Sequence, residues 1–295
     1  MHGVRVPRPA VLNDGAPGAA EVTAQVAAAL REDIGGGDVT AALVPADQQV
    51  HGEVVTREAA VLCGRAWVTE TFRQLDPAIT LQWLADDGEQ LAPGSTVLRL
   101  SGRARPILTG ERTALNFLQL LSGTATTARA FVEAIAGTGC AIIDTRKTIP
   151  GLRLAQKYAV RCGGARNHRL GLYDLVLIKE NHIAAAGSLA LAVANARRLA
   201  PHLQVETEVE SLAELDEALA CGADIIMLDE FSLAELRAAV ARARAQRAGV
   251  KLEASGSVTL ESVREIAATG VDYVSVGGIT KHLRAIDLSM RLHFG

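Results

Sequence analysis

The second half of the chain alternates short apolar runs with helical stretches. From Gly139 onward the apolar runs read CAIID, YDLVLIK, LQVETEV, ADIIMLD, VKLEAS and VDYVSV, and a helix-periodic segment separates most successive runs. Parallel neighbours in a sheet need crossovers of about a dozen residues, which helices usually supply. The pattern therefore predicts an α/β unit with a parallel sheet, either closed into a barrel or open as a doubly wound sheet.

The residues before this unit predict a smaller α+β domain. Residues 1–20 contain Pro and Gly but no apolar segment, which indicates a loose N-terminal tail. A helix is predicted from Glu21, and the β-branched segments after it predict a mostly antiparallel sheet. The helical stretch from Glu111 to Gly137 is the predicted joint, broken or bent at Ser122 and Gly123. The predicted domains are residues 21–122 and 123–280.

The overall charge and the cysteines restrict the partners. A formal net charge of −3 favours neither nucleic acid nor an anionic membrane as a partner, and no run of apolar residues is long enough to span a bilayer. The four cysteines lie far apart and form no metal-ligand pattern. We therefore expect a soluble cytoplasmic protein that binds small molecules.

Polar or glycine residues follow each predicted parallel strand. Barrel enzymes assemble their active sites from the carboxyl ends of several strands, and the loops after the last two strands often bind phosphate. Glycine allows backbone N–H groups to approach a phosphate closely. The residues at these strand ends are Asp144 with Arg146 and Lys147, Lys179 with Glu180, Glu208, Asp229, Ser255 with Gly256 and Ser257, and Gly277 with Gly278.

The segment from Asp144 to Glu180 is strongly basic. It carries eight basic and three acidic residues, a net charge of +5 in a chain of net charge −3. Three of the cations recur every four residues and are interpreted as an ordinary solvated helix face, namely Arg153, Lys157 and Arg161. The cations at loop or strand-end positions instead predict a small ligand with several negative charges, and they are Arg146, Lys147, Arg169 and Lys179.

Two carboxylates and a histidine are expected near these cations. Glu208 and Asp229 either pair with the cations, or hold sugar hydroxyls, bind Mg²⁺ between phosphate oxygens and offset positive charge at a sugar carbon. His168 directly precedes Arg169. It is either a structural hydrogen-bond donor or a further donor to the same anion.

The stretch DTRKTIPGLRLAQKYAVRCGGARNHRLGLYDLVLIKENH resembles the signature region of the quinolinate phosphoribosyltransferases. The resemblance extends over most of the chain, through LREDIGGGDVT, ERTALNFLQLLSGTAT, ETEVE, MLDE, EASGSV and SVGGIT. It implies an incomplete, open α/β barrel of TIM type and an N-terminal α/β sandwich domain that residues 281–295 rejoin. The implied activity is phosphoribosyl transfer from phosphoribosyl pyrophosphate to quinolinate with loss of CO₂, in NAD biosynthesis.

The resemblance also implies a role for each matching residue. It implies a homodimer, with assembly beyond the dimer left open, in which Arg112 reaches the partner's substrate. Lys147 lies between the two substrates, and Glu208 and Asp229 act at the ribose and at the Mg²⁺-pyrophosphate end. Quinolinate is held by Thr145, Arg146, His168, Arg169 and Lys179. The phosphates are held by Ser255, Gly256, Ser257, Gly277 and Gly278.

The sequence departs from the family pattern in three places. TIP, GGAR and SVGGITKH replace more familiar forms, which leaves the role of Arg166 and the geometry of the last loop open. Three alternative functions remain. One is a related phosphoribosyltransferase of molybdate-transport loci that takes another acceptor, the second is a Schiff-base aldolase that uses Lys179, and the third is a nucleotide-binding regulator without catalysis.

Overall fold

The computed structural model describes residues 17–294. Within them the helices are α1 (Ala19–Ile34), α2 (Arg65–Leu75), α3 (Ala104–Ala134), α4 (Arg153–Cys162), α5 (Glu180–Ala186), α6 (Leu189–Leu199), α7 (Leu212–Cys221), α8 (Leu233–Gln246), α9 (Val263–Ala267) and α10 (Gly278–Lys281). The strands are β1 (Gln49–Thr56), β2 (Ala60–Val61), β3 (Thr80–Trp83), β4 (Gln90–Leu91), β5 (Thr96–Arg103), β6 (Ala141–Ile143), β7 (Val176–Ile178), β8 (Val205–Val209), β9 (Ile225–Asp229), β10 (Lys251–Ser255), β11 (Tyr273–Ser275) and β12 (Leu288–Phe294).

The described residues form two compact units. The first comprises residues 130–147 and 165–281, and the second comprises residues 17–129, 148–164 and 282–294. The domain limits expected from the sequence, 21–122 and 123–280, stay a prediction.

The first unit contains a parallel sheet with the strand order β6-β11-β10-β9-β8-β7. From β7 to β11 each strand neighbours the next one along the chain, and β6 then pairs with β11. In a doubly wound sheet the order in which successive strands are added reverses part-way along the sheet. The observed order is cyclic with one opening, between β6 and β7, so the sheet is an incomplete barrel. The predicted parallel sheet is confirmed, and the open alternative of a doubly wound sheet is excluded.

The backbone of Arg166 partly fills the opening beside β6. Its N–H donates to Ile142 O at 2.9 Å, and its carbonyl accepts from Asp144 N at 3.1 Å, as in a one-residue parallel strand. The Arg166 side chain is exposed. Arg166 therefore contributes to the fold through its backbone.

The second unit is built on an antiparallel sheet with the order β12-β1-β5-β3. β12 pairs with β1 from Val50 opposite Phe294 to Thr56 opposite Leu288. The end of the chain thus completes the sheet that begins near its start. One face of the sheet is packed with buried apolar side chains, including those of Val54, Leu98 and Leu118.

α3 is a continuous helix of 31 residues. The expectation of a break at Ser122 and Gly123 is therefore wrong, and the alternative of a bend stays a prediction. Close packing accounts for these two small residues. Ser122 Oγ accepts from Cys63 N at 3.0 Å and donates to Cys63 O at 3.2 Å. A Cβ on Gly123 would lie 2.2 Å from Arg284 O, so only glycine allows this approach.

Two smaller expectations also need correction. α1 begins at Ala19, so residues 19 and 20 belong to a helix, and residues 1–16 of the expected tail lie outside the described residues. Lys157 is only 1% exposed, whereas the spacing of the α4 cations suggested a solvated face. Helical spacing places residues on one face but does not reveal whether another element covers it.

Candidate active site

A pocket of about 250 Å³ lies at the carboxyl ends of the parallel strands. Its lining includes nine of the residues predicted from the sequence: Thr145, Arg146, Lys147, His168, Arg169, Lys179, Glu208, Asp229 and Ser255. Four residues that sequence reasoning missed also line it: Leu177, Met227, Glu253 and Ser275. The strand ends thus bring together most of the predicted site, as parallel topology requires.

Asp144 anchors the segment that carries His168. The fully buried Asp144 carboxylate accepts from Asn167 Nδ2 at 2.7 Å and from His168 N at 2.8 Å. It is not among the residues that line the pocket. Its role at the end of β6 is therefore to fix the chain that follows Arg166 beside the site.

The backbone of Lys147 is held from two sides. Its N–H donates to Thr145 Oγ1 at 3.0 Å, and its carbonyl accepts from Thr280 Oγ1 at 2.8 Å. A Cβ on Gly277 would lie 3.1 Å from Lys147 Cδ. The SVGGITKH loop therefore supports Lys147 directly, a role for Thr280 that its sequence position alone did not indicate.

Arg146 and Arg169 both place positive charge at the pocket. Arg146 Nε is buried and has no hydrogen-bond partner among the described residues. Burial and the nearby Arg146 guanidinium lower the pKa of Arg169. No carboxylate in residues 17–294 forms an ion pair with either arginine. A buried guanidinium N–H without an acceptor is costly, so this arrangement fits a bound anion.

Lys179 and Glu208 pair with each other at the pocket mouth. Lys179 Nζ donates to Glu208 Oε2, and the Glu208 side chain is only 9% exposed. The side chain of Asp229, at the end of the neighbouring strand β9, lines the same pocket. For Glu208 the structure bears out the interpretation that it pairs with a cation, and this pairing leaves its role toward a ligand as a prediction.

The His168 ring is buried, and protein atoms contact both of its nitrogens. Nδ1 accepts from Arg169 N at 2.8 Å, and Nε2 lies 2.8 Å from Glu206 Oε2 and 3.5 Å from Glu253 Oε2. Burial and the Arg169 N–H at Nδ1 favour the neutral ring, whereas Glu206 and Glu253 raise the pKa of His168. The predicted contact of His168 with quinolinate stays a prediction.

The loop after β10 contributes little to the pocket lining. Ser255, the last residue of β10, lines the pocket, whereas Gly256 and Ser257 in the loop that follows do not. Ser257 Oγ donates to Glu230 Oε1 at 3.3 Å, and a Cβ on Gly256 would lie 2.9 Å from Glu230 Oε2. Gly256 has a φ of +142°, a backbone conformation that glycine adopts more readily than other residues, so the chain conformation alone accounts for glycine here.

Three more predicted residues lie outside the pocket lining. Gly277 and Gly278 follow β11, and a Cβ on Gly277 would lie 3.1 Å from Lys147 Cδ and 3.5 Å from Thr145 Oγ1. Arg112 is an exposed residue of α3 and belongs to the second compact unit. The roles predicted for these three residues stay predictions.

Known proteins resemble the chain over nearly its whole length. The family "Quinolinate phosphoribosyl transferase, C-terminal domain" matches residues 124–291, and the corresponding N-terminal domain family matches residues 38–122. A nicotinate-nucleotide pyrophosphorylase [carboxylating] of Mycobacterium leprae is 44% identical over 90% of this chain and 94% of its own. A probable one of Bacillus subtilis is 42% identical over 88% of this chain and 89% of its own.

A solved structure supports the same relationship. The nicotinate-nucleotide pyrophosphorylase of Francisella tularensis superimposes with a TM-score of 0.91 and 46% sequence identity, over 98% of this chain and 100% of that one. Its similarity extends over both the antiparallel sheet and the parallel sheet. Together with the two matched domain families, this shows that the chain belongs to the quinolinate phosphoribosyltransferase family.

Proposed function

We propose that the chain is a carboxylating nicotinate-nucleotide pyrophosphorylase. It transfers the phosphoribosyl group of phosphoribosyl pyrophosphate to quinolinate, and it releases pyrophosphate, CO₂ and nicotinate mononucleotide in NAD biosynthesis. The observation that carries the proposal is the pair Arg146 and Arg169 at one pocket, with a buried Nε that has no partner. Quinolinate carries two carboxylates, which guanidinium groups bind in bidentate fashion.

The acceptor side of the pocket binds quinolinate. Arginine forks at Arg146 and Arg169 hold its carboxylates, and Thr145, His168 and Lys179 complete this side. Lys147 is held through its backbone at the edge of the same pocket. From there its mobile ammonium contacts both quinolinate and the sugar pyrophosphate. Neither substrate needs a protein nucleophile, so positioning of two anions supplies much of the acceleration.

The ring nitrogen of quinolinate attacks the anomeric carbon as pyrophosphate leaves. Positive charge develops on the sugar in this step, and the carboxylates of Glu208 and Asp229 offset it from the mouth of the barrel. The quaternised nitrogen then withdraws electrons from the neighbouring ring carbon. The C–C bond to the adjacent carboxylate breaks, its electron pair stays on the ring carbon, CO₂ leaves and a proton takes its place.

Glu208 and Asp229 also fit a magnesium site. The two residues lie at the ends of adjacent strands, and both line the pocket. Mg²⁺ is usually bound by one or two carboxylates together with substrate phosphates. When bound, Mg²⁺ would neutralise charge on the leaving pyrophosphate. Ser255, Gly256, Ser257, Gly277 and Gly278 are proposed to hold the phosphate groups through hydroxyls and backbone N–H groups.

We further propose a homodimer with shared active sites. Arg112 is exposed on α3, as a residue that reaches a neighbouring subunit must be. Within residues 17–294 no helix combines the length and hydropathy that crossing a bilayer requires. The cytoplasmic location stays a prediction from the sequence.

The testing experiment incubates the protein with quinolinate, phosphoribosyl pyrophosphate and Mg²⁺ and follows pyrophosphate and CO₂ together. Equal release of the two products is expected, with nicotinate giving far less turnover. Turnover of another acceptor without CO₂ would instead favour the related phosphoribosyltransferase. Trapping of a carbonyl substrate on Lys179 with borohydride would favour the aldolase, although such a reaction would have to break the ion pair with Glu208. Substrate binding without turnover in calorimetry would favour a regulator.

A further inference from the structure

Two carboxylates occupy the barrel layer beneath the pocket mouth. Glu206 and Glu208 lie two residues apart on β8, and Glu253 and Ser255 lie two apart on β10, so each pair shares one face of its strand. Glu208 and Ser255 line the mouth, so Glu206 and Glu253 lie one layer deeper, where Glu253 still lines the pocket and Glu206 does not. Both are almost fully buried, at 0% and 1% exposed. Branched apolar side chains usually fill such layers.

The two acids converge on His168. Its Nε2 lies 2.8 Å from Glu206 Oε2 and 3.5 Å from Glu253 Oε2. The remaining oxygen of each carboxyl, Oε1, is buried and has no hydrogen-bond partner among the described residues. Replacing such buried charges with apolar groups is often neutral or stabilising. Stability alone therefore does not account for two acids in this layer.

The geometry fixes where the protons of this cluster lie. Nδ1 of His168 accepts from Arg169 N at 2.8 Å, so the ring proton is on Nε2 and points at the acids. Burial and the Glu253 carboxylate raise the pKa of Glu206 to about 7. Although burial opposes it, His168 lowers the pKa of Glu253.

Nδ1 of His168 faces the backbone of Arg169, a residue that lines the pocket. The same ring that contacts Glu206 through Nε2 accepts the backbone N–H of Arg169 through Nδ1. The His168 backbone N–H is held in turn by Asp144. A chain of contacts therefore runs from the buried acids through the imidazole to the backbone of an arginine that lines the pocket.

We propose that Glu206 and Glu253 are positioning residues for quinolinate binding, which hold the His168 ring so that it fixes the Arg169 backbone and aims its guanidinium into the pocket. The inference rests on the proposed function, because quinolinate is the anion that Arg169 binds. It adds to that function two buried acids, of which Glu253 lines the pocket and Glu206 acts from outside its lining. Misplacement of a binding group by about 1 Å costs on the order of a hundredfold in rate.

The test compares three variants on one strand. Glu206→Leu removes the acceptor of His168 Nε2, and Glu206→Gln keeps an acceptor oxygen and the shape of the side chain. Thr207→Val is the matched control, because Thr207 is equally buried and the next residue of β8, and its Oγ1 has no partner among the described residues. Each variant is assayed for kcat and for the KM of both substrates.

The expected result is a selective loss. Glu206→Leu should raise the KM for quinolinate at least about tenfold and leave the KM for phosphoribosyl pyrophosphate within about threefold. Glu206→Gln and Thr207→Val should stay within about threefold for both substrates. A ¹⁵N NMR spectrum should show the Nε2-protonated tautomer of His168 in the wild type and in Glu206→Gln, and its loss in Glu206→Leu.

Two results would overturn the inference while leaving the proposed function intact. One is wild-type turnover of quinolinate together with an unchanged quinolinate KM in Glu206→Leu. The other is a Glu206→Leu protein that melts at lower temperature with both KM values raised equally, which is the signature of a merely structural role. A folded wild type that does not convert quinolinate overturns the proposed function itself. The NMR comparison then still decides whether Glu206 determines the tautomer of His168.

Discussion

The Lys179 ammonium and the Glu208 carboxylate form an ion pair across the ends of β7 and β8. The register pairs Ile178 with Thr207, so the two residues one position further along the strands meet at the pocket mouth. A cation expected to bind quinolinate and a carboxylate expected near the ribose therefore position each other. Glu208 therefore holds Lys179 at the pocket mouth.

Glu208→Gln should lower kcat/KM about 10–100-fold, because it removes the partner of Lys179 and a charge that offsets the developing positive charge on the sugar. Glu210→Gln is the control, since Glu210 is exposed just beyond the same strand. Steady-state kinetics with both substrates varied provide the measurement. Activity of Glu208→Gln equal to that of the control would argue against any role of this carboxylate in catalysis.

Arg146→Ala should lower kcat/KM for quinolinate by at least about a hundredfold, because it removes a charge-assisted bidentate contact to a carboxylate. Arg166→Ala should stay within about threefold, since Arg166 acts through its backbone and its side chain is exposed. Both substitutions remove one arginine from the same basic segment. Equal losses in the two variants would mean that overall charge matters rather than the pocket, and a near wild-type rate for Arg146→Ala would exclude the proposed quinolinate site.

Mixing two inactive variants should restore activity if Arg112 acts in the neighbouring subunit. If Arg112 acts across subunits, Arg112→Ala and Arg146→Ala place both lesions in the same site of a mixed dimer, so the other site is intact. Unfolding and refolding the two proteins together at equal amounts should recover about a quarter of the wild-type activity. Refolding each variant alone provides the control. Full recovery of dimers without activity would show that Arg112 does not act across subunits.

The stability of the protein should depend on pH through Glu206. Its pKa is raised from 4.5 to about 7, so between these values the folded state keeps a proton that the unfolded state has lost. The free energy of unfolding contributed by this group therefore falls as pH rises from about 4.5 to about 7. Glu206→Gln cannot ionise, so its stability relative to the wild type should increase over this range.

Urea unfolding of both proteins between about pH 3.5 and about pH 8, which is about one unit beyond each pKa, measures this difference. Thr207→Val should keep a constant offset from the wild type, because threonine does not titrate in this range. A constant offset for Glu206→Gln as well would show that Glu206 is ionised in the folded protein throughout.

Gly123→Ala should destabilise the second compact unit by about 1–3 kcal/mol, because its Cβ would lie 2.2 Å from Arg284 O and backbone must move. Gly36→Ala is the control, since nothing lies within 4 Å of a Cβ at Gly36. Its effect should stay within about 0.5 kcal/mol. Thermal unfolding of both variants measures the difference. A stable Gly123→Ala protein would mean that α3 and the chain around Arg284 separate easily.

The parallel strands and the helices between them were predictable because their signal is local. Buried strands of a parallel sheet appear as short apolar runs, and amphipathic helices repeat with their own period. The polar strand ends were predictable for the same reason, since parallel topology gathers all carboxyl ends at one edge. The signal for Glu206 was present as well, because its spacing of two from Glu208 puts both on one face of β8.

The sequence by itself determined the family, the element types and the set of strand-end residues from which the pocket is built. Only the tertiary structure decided the strand order with its opening beside β6, the burial of Glu206 and Glu253 against His168, and the pairing of Lys179 with Glu208. It also decided that Ser122 and Gly123 serve close packing within an unbroken helix. The physical reason is that propensity and periodicity act between neighbours in the chain. Burial, charge pairing and close backbone approach depend on residues tens to more than a hundred positions away, which only the folded chain brings into contact.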